Sequence, residues 1–167
     1  MRPPESIPVW VVAERRTLDH PWLPESLRPV QVEVGQPLAE PWTVLAEGPG
    51  WTRYIAGRTE LLLFPSDAAN YKFNLDAAAP AIYVIMRKSH GPLGLDLLTV
   101  TVDPGEIDSH ADSGDDLIEA LPLPPDIAAW MAVFVALHYR EETHHKRRRD
   151  RADPEALARR PPEQRHG

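Results

Sequence analysis

Asp126-Ile127-Ala128-Ala129-Trp130-Met131-Ala132-Val133-Phe134-Val135-Ala136-Leu137-His138-Tyr139 carries no formal charge after its first residue. Ile127, Trp130, Met131, Phe134 and Leu137 recur at three- and four-residue spacing and define one apolar helical face, while Ala128, Ala132 and Val135 keep much of the other side apolar too. A helix apolar nearly all round is a buried helix, and the run falls short of the roughly 20 apolar residues that cross a bilayer. It therefore reads as the core helix of a soluble domain. Pro124 and Pro125 suit its first turn, where no intrahelical hydrogen bond is lost, and Asp126 suits the positive end of its dipole. Lys146, Arg147, Arg148 and Arg149 place cations beyond its negative end, and Pro154 stops any continuation.

Upstream of this helix the chain alternates short apolar runs with turn residues. Ile7 to Ala13 is rich in valine and reads as a strand; Thr17 to Ser26, with Pro21 and Pro24, reads as a loop; Val30, Val32 and Val34 alternate with Gln31 and Glu33 as a half-buried strand. A strand from Trp42 through Val44 to Glu47 turns at Gly48-Pro49-Gly50 into one beginning at Trp51. The tetrad Ala56-Gly57-Arg58-Thr59 then looks like a further turn leading to Glu60 to Phe64, which makes the region from Trp42 to Phe64 an expected antiparallel meander. Ser66 to Asn74 fits either a short helix capped by Ser66 or an irregular edge strand.

Ala81 to Arg87 is a continuous apolar run of strand length, and Gly91 to Gly94 turns it into Leu95 to Val102. Asp103-Pro104-Gly105-Glu106 has the form of a capping box opening a short helix that stops at Ser113-Gly114, a left-handed cap, before a last strand from Leu117 to Leu121. The expected fold is a single α+β domain over residues 1–143. Its mainly antiparallel twisted sheet of six or seven strands is packed by the buried C-terminal helix, and a basic, proline- and arginine-rich tail over 144–167 is expected to be extended or disordered.

Composition narrows the chemistry. The 167 residues, 43% of them hydrophobic, suffice for one domain with a real core. The absence of cysteine excludes disulfides, a thiol nucleophile and thiolate metal sites. The first residues lack the apolar segment of a secretory signal, and Arg15-Arg16 is not followed by one, so a cytoplasmic location is expected. The formal charge of -7 conceals an asymmetry: eight of the 18 Lys/Arg but only four of the 25 Asp/Glu lie from Lys146 onward. The body is acidic and the tail basic. The 19 prolines break the chain into short segments.

Four groups of residues invite a functional reading. Asp103, Glu106, Asp108, Asp112, Asp115, Asp116 and Glu119 surround His110, but an EF-hand loop from Asp108 would put His110 at a ligand position and its glycine one place late, so helix capping and solvated turns are the plainer reading. His138, Glu142, His144 and His145 have helical spacing without the paired-histidine motif of a zinc protease. Trp22, Arg28, Trp42, Trp51, Arg53 and Tyr54 could gather on one sheet face or edge as a binding surface, although tryptophans in small β-rich domains are more often core. Lys146 to Arg151, basic except for Asp150, would attract phosphates or an acidic protein surface alike. The acidic body and the absence of interleaved aromatics in the tail weigh against nucleic acid. Neither a Gly-x-Ser-x-Gly elbow nor a phosphate-binding glycine loop is present.

Pro8-Val9-Trp10-Val11-Val12-Ala13-Glu14-Arg15-Arg16, Pro41-Trp42, Gly50-Trp51-Thr52-Arg53-Tyr54, Pro80-Ala81-Ile82-Tyr83-Val84, Asp112-Ser113-Gly114-Asp115 and Lys146-Arg147-Arg148-Arg149-Asp150-Arg151, in that order and spacing, resemble the bacterial family called domain of unknown function 3305. The family carries no established activity, so the resemblance brings over no catalytic residue. It implies an association with genes for molybdenum-dependent formate dehydrogenase and its cofactor, and hence a non-enzymatic role in assembling or maturing that enzyme. The expected partner is a formate dehydrogenase subunit or a molybdenum-cofactor protein, with no cofactor resident in this chain. Trp51, Arg53 and Tyr54, together with Lys146, Arg147, Arg148, Arg149 and Arg151, are the expected binding residues. Two alternatives stand beside this expectation: a small metal-assisted hydrolase using His110 or His138 with nearby carboxylates, and a permanent structural subunit of a larger complex.

Overall fold

The computed structural model describes residues 3–139, and the expected domain boundary near residue 143 and the whole basic tail lie outside them. Among the described residues, seven strands form two antiparallel sheets. The first contains β1 (Glu5–Thr17), β2 (Glu25–Val34), β3 (Val44–Gly48) and β4 (Trp51–Leu63) in the order β2-β1-β4-β3. After a turn of 3-10 helix at Pro65–Asp67 and helix α1 (Ala68–Leu75) come β5 (Ala81–Lys88) and β6 (Leu95–Thr101). A second 3-10 turn at Pro104–Glu106 opens α2 (Ile107–Ala111), and β7 (Asp116–Pro122) completes the second sheet in the order β6-β5-β7. Helix α3 spans 125–139. No helix is long and apolar enough to cross a membrane among the described residues.

The α+β class, the antiparallel pairing and the seven strands match the sequence expectation; the single sheet does not. The break between sheets falls at Pro65 to Pro80, where α1 carries the chain away and Asn74 fastens its end. The Asn74 amide donates to the carbonyls of Ala81 (2.8 Å) and Val102 (2.9 Å) and accepts from the Ala81 N–H (3.0 Å), so one buried side chain ties α1 to the start of β5 and the end of β6. Alternation explains the core. Val9, Val11 and Ala13 of β1, Leu61 and Leu63 of β4, Ile82, Val84 and Met86 of β5, and Val100 of β6 point into one cluster with Ile127, Met131 and Phe134 of α3.

Three further expectations are corrected. The meander over 42–64 does not form, because Ala56-Gly57-Arg58-Thr59 is no turn: β4 runs straight through it and pairs along its length with β1. The ladder shifts where Val11 faces Gly57 and Val12 faces Ile55, leaving Ala56 as the extra residue of a β-bulge. Gly57 serves the bulge rather than a turn: its φ is 156°, and β6 passes directly over it. The expected loop over Thr17 to Ser26 shortens because β1 extends to Thr17 and β2 starts at Glu25. Gly114 lacks the positive φ of a left-handed cap, and α2 ends instead on Asp112 in the right-handed region.

Helix α3 is not buried all round. Ile127, Met131, Phe134 and His138, at spacings of four, three and four, form its buried stripe, whereas Val133 and Leu137 are 71% and 57% exposed. Leu137 thus leaves the face to which its spacing assigned it, and His138 takes the inward place against the Phe134 ring, with centroids 4.3 Å apart. The helix covers the sheets on one side and nothing among the described residues covers it on the other, so apolarity all round was not a measure of burial here.

Candidate functional site

The bulge at Ala56 decides which side chains β4 turns away from the core. Tyr54 follows Ala56 onto the core side, while Ile55, Arg53 and Trp51 turn to the opposite, outer face of the four-stranded sheet. On β1 the same outer face carries Trp10, Val12, Glu14 and Arg16, the residues between those that enter the core. Direct cross-strand pairing then sets the rows: Arg28 of β2, Glu14 of β1 and Arg53 of β4 stand side by side, and Arg16 stands opposite Trp51.

Glu14 is the centre of this array. Its carboxylate is 6% exposed yet charged, accepting from Arg16 Nε at 3.1 Å on one oxygen and from Arg53 Nε at 3.1 Å on the other. Burial pushes the carboxyl up, but the hydrogen bonds and charges of the two arginines outweigh it and hold the pKa below the usual carboxylate range. The guanidinium of Arg53 also lies over the Trp51 ring, 5.5 Å from its centroid. The indole in turn rests on β3 at Gly48, where a Cβ would come within 2.6 Å of Trp51 Nε1. Because both arginines meet Glu14 through Nε and are about half exposed, at 50% and 43%, their terminal Nη donors are available to an incoming acceptor. Three arginines against one carboxylate leave the face net positive on a chain whose body is acidic.

The residues singled out from sequence divide between two faces. Arg28, Trp51 and Arg53 do gather. Tyr54 lies on the other side, 6% exposed, with Trp42 edge-on to it at 6.0 Å and Arg15 over its ring at 5.7 Å, so it belongs to the packing between sheets and is corrected from the binding set. Trp22 stands apart at the tip of the β1–β2 hairpin. Lys146, Arg147, Arg148, Arg149 and Arg151 lie outside the described residues. Glu14 and Arg16, the residues that organise the face, were missed as site residues because Glu14-Arg15-Arg16 reads as the end of a strand; carrying the strand three residues past Ala13 would have placed them together with Trp10 and Val12, on the face opposite Val9, Val11 and Ala13.

The acidic region offers a different arrangement. Asp103 accepts from the Gly105 N–H at 2.7 Å, the capping role its motif implied. Asp116 receives Arg87 in a two-pronged contact, Nε to Oδ1 at 2.8 Å and Nη2 to Oδ2 at 3.2 Å, and His110 Nδ1 lies 2.9 Å from Oδ2. The Arg87 hydrogen bond, then that of His110, holds the Asp116 carboxyl below its ordinary range. Burial, then the charge of Asp103, raises Glu106. Asp116 thereby ties α2 to the second sheet. Among the described residues no three His, Asp or Glu side chains converge to hold a metal ion. The Glu142, His144 and His145 part of the other histidine group lies outside the described residues.

No curated protein and no solved structure matches this chain. A family model does, from residue 8 within β1 to residue 149 beyond α3, and by that match the chain belongs to the family described as protein of unknown function DUF3305.

Proposed function

We propose that this protein is a non-enzymatic accessory factor for a molybdenum-dependent formate dehydrogenase, acting in its assembly or maturation by docking an enzyme subunit or the anionic cofactor that subunit carries. The supporting observation is the outer face of the four-stranded sheet, where Arg16 and Arg53 share the buried Glu14 and keep their outward donors in solvent beside Trp51. Arginine and tryptophan are the residue types that dominate binding energy at interfaces, and an arginine fork pairs with carboxylate or phosphate in fixed geometry. The enzyme is suggested by the gene association that the family resemblance implies. The cations from Lys146 to Arg151 add charge of the same sign in the sequence.

The test is binding of the full chain to the purified formate dehydrogenase subunit, with and without its cofactor, by native mass spectrometry and by titration at 50 and 500 mM salt. Removing Arg16 and Arg53 alone would leave Glu14 buried without partners, so the informative variant replaces all three of Glu14, Arg16 and Arg53 by Gln. Binding that weakens with salt and is lost in the triple variant supports the reading. A folded wild-type chain that binds neither subunit nor cofactor, or a triple variant that binds as tightly as wild type, sinks it.

A further inference from the structure

The β1–β2 hairpin ends in a tip that the face just described does not use. Its ladder closes with Thr17 opposite Glu25, and the Leu18 N–H then donates to the Pro24 carbonyl at 2.7 Å, leaving Asp19-His20-Pro21-Trp22-Leu23 as the turn. The turn is braced from within. His20 Nδ1 accepts from the backbone N–H of Trp22 at 3.1 Å and of Leu23 at 3.2 Å, so the ring nitrogen takes the place of a turn carbonyl. Pro21 and Pro24 fix two φ angles, and the Thr17 N–H donates to the Gly50 carbonyl at 2.8 Å, which fastens the hairpin to the β3–β4 turn.

On this brace Trp22 is 85% and Leu23 55% exposed, whereas the other four tryptophans are all partly buried. A large indole held out in water by this brace contributes nothing to the core and costs solubility. The order already built into the turn removes part of the entropic cost of seating it in a partner. One rung behind the closing Thr17–Glu25 pair, Arg16 stands opposite Ser26 on one side and Trp51 on the other, so the charged row begins directly behind the turn that carries Trp22.

We infer that Trp22 and Leu23 are the apolar anchor of a protein-docking surface whose charged half is Arg16, Arg28 and Arg53, and that the partner presents an apolar socket for the tip with carboxylates only on the side that meets the arginines. A protein socket is favoured over an anionic membrane because Asp19 and Glu25 flank the tip while the arginines lie on the strands behind it: a protein can set its carboxylates opposite the arginines alone, whereas a membrane would present phosphates to Asp19 and Glu25 as well. The inference rests on the accessory-factor reading for the partner's identity and adds where that partner is gripped.

The experiment titrates the full chain and its Trp22→Ala and Trp22→Phe variants with the same purified formate dehydrogenase subunit, with Trp22→Ala checked for an unchanged melting temperature. Trp22→Ala is expected to weaken binding by about 30-fold, as truncation of a hot-spot aromatic does, with Trp22→Phe between it and wild type. The emission of Trp22, taken as wild type minus Trp22→Phe, is expected to shift to the blue on docking. Wild-type binding with Trp22→Ala within twofold overturns the anchor while leaving the accessory role standing. Wild type failing to bind overturns both. Trp22-dependent binding to phosphatidylserine vesicles in place of the subunit overturns the protein socket in favour of a membrane.

Discussion

Gly57 of β4 faces Leu97 of β6 so closely that a Cβ on the glycine would stand 3.1 Å from the Leu97 Cβ. The two sheets therefore approach through a missing side chain, at the place where β4 carries its bulge. Gly57→Ala is expected to destabilise the fold by about 1–3 kcal/mol, through overpacking and because the φ of 156° at Gly57 is one that residues with a side chain rarely adopt. Shortening Leu97 to Ala should not rescue it, because the nearest contact is with the Cβ that alanine retains. Urea denaturation of the two single variants and the double variant checks this; full recovery in the double variant would show that the crowding lies further out along the leucine.

Glu14 sets an acid limit on the stability of the outer face. Its folded pKa lies below the unfolded value, so its contribution is fully present above the unfolded carboxylate range near pH 4.3 and is lost as pH falls through the lower folded value. Glu14→Gln should be less stable than wild type at pH 7 by about 1–2 kcal/mol, a figure already reduced for solvent screening at the half-exposed arginines, and the gap should close as the pH is lowered towards 3. Parallel thermal melts across pH 3 to 7 give the comparison; a gap that widens in acid contradicts it.

Asn74 satisfies three backbone groups at once, two of them on Ala81. Asn74→Ala strips its partner from the buried Val102 carbonyl and from the half-buried Ala81 N–H and carbonyl, and should cost about 2–4 kcal/mol, more than a surface change in α1. Asn74→Asp keeps the acceptor for the Ala81 N–H but turns a carboxylate towards two carbonyl oxygens, so it should fare no better. Denaturant midpoints of both, set beside Phe73→Ala on the exposed side of the same helix, decide the matter.

The two sides of α3 should respond oppositely to substitution. Phe134→Ala empties a buried site between Tyr71 and His138 and should cost about 3–5 kcal/mol, whereas Leu137→Gln and Val133→Gln should change stability by about 0.5 kcal/mol or less. A large loss at Val133 or Leu137 in the isolated chain would mean that a second copy covers this face in solution, which sedimentation would show directly.

The strands were readable because valine alternation and proline punctuation report local geometry, and β3, β5, β6 and β7 follow from them closely, whereas β1 and β2 run well past the apolar residues that announced them. What sequence could not report was depth. Ala56-Gly57 has the composition of a turn whether a chain reverses there or is merely crowded by another sheet, and only the position of Leu97 separates the two. The apolar periphery of α3 likewise records no neighbour, and so gave no warning that Val133 and Leu137 face outward. The site was half legible for the same reason: Trp51 and Arg53 are on the outer face as their types suggest, but Tyr54 was taken with them because an unbroken strand count cannot see a bulge, and Glu14 was hidden at a strand end.

The bulge at Ala56 also acts as a parity switch for the whole strand. Every residue of β4 on the Trp51 side of it owes its facing to a single additional Cα. A deletion of that one residue would leave composition, charge and hydrophobicity almost untouched, yet it would exchange inside for outside over five positions, sending Arg53 and Trp51 inward and Tyr54 into water. Length at this point is thus as much a part of the surface chemistry as the identity of any arginine, and an insertion scan through β4 should find residues 55–57 intolerant where the loop at 36–41 accepts extra residues freely.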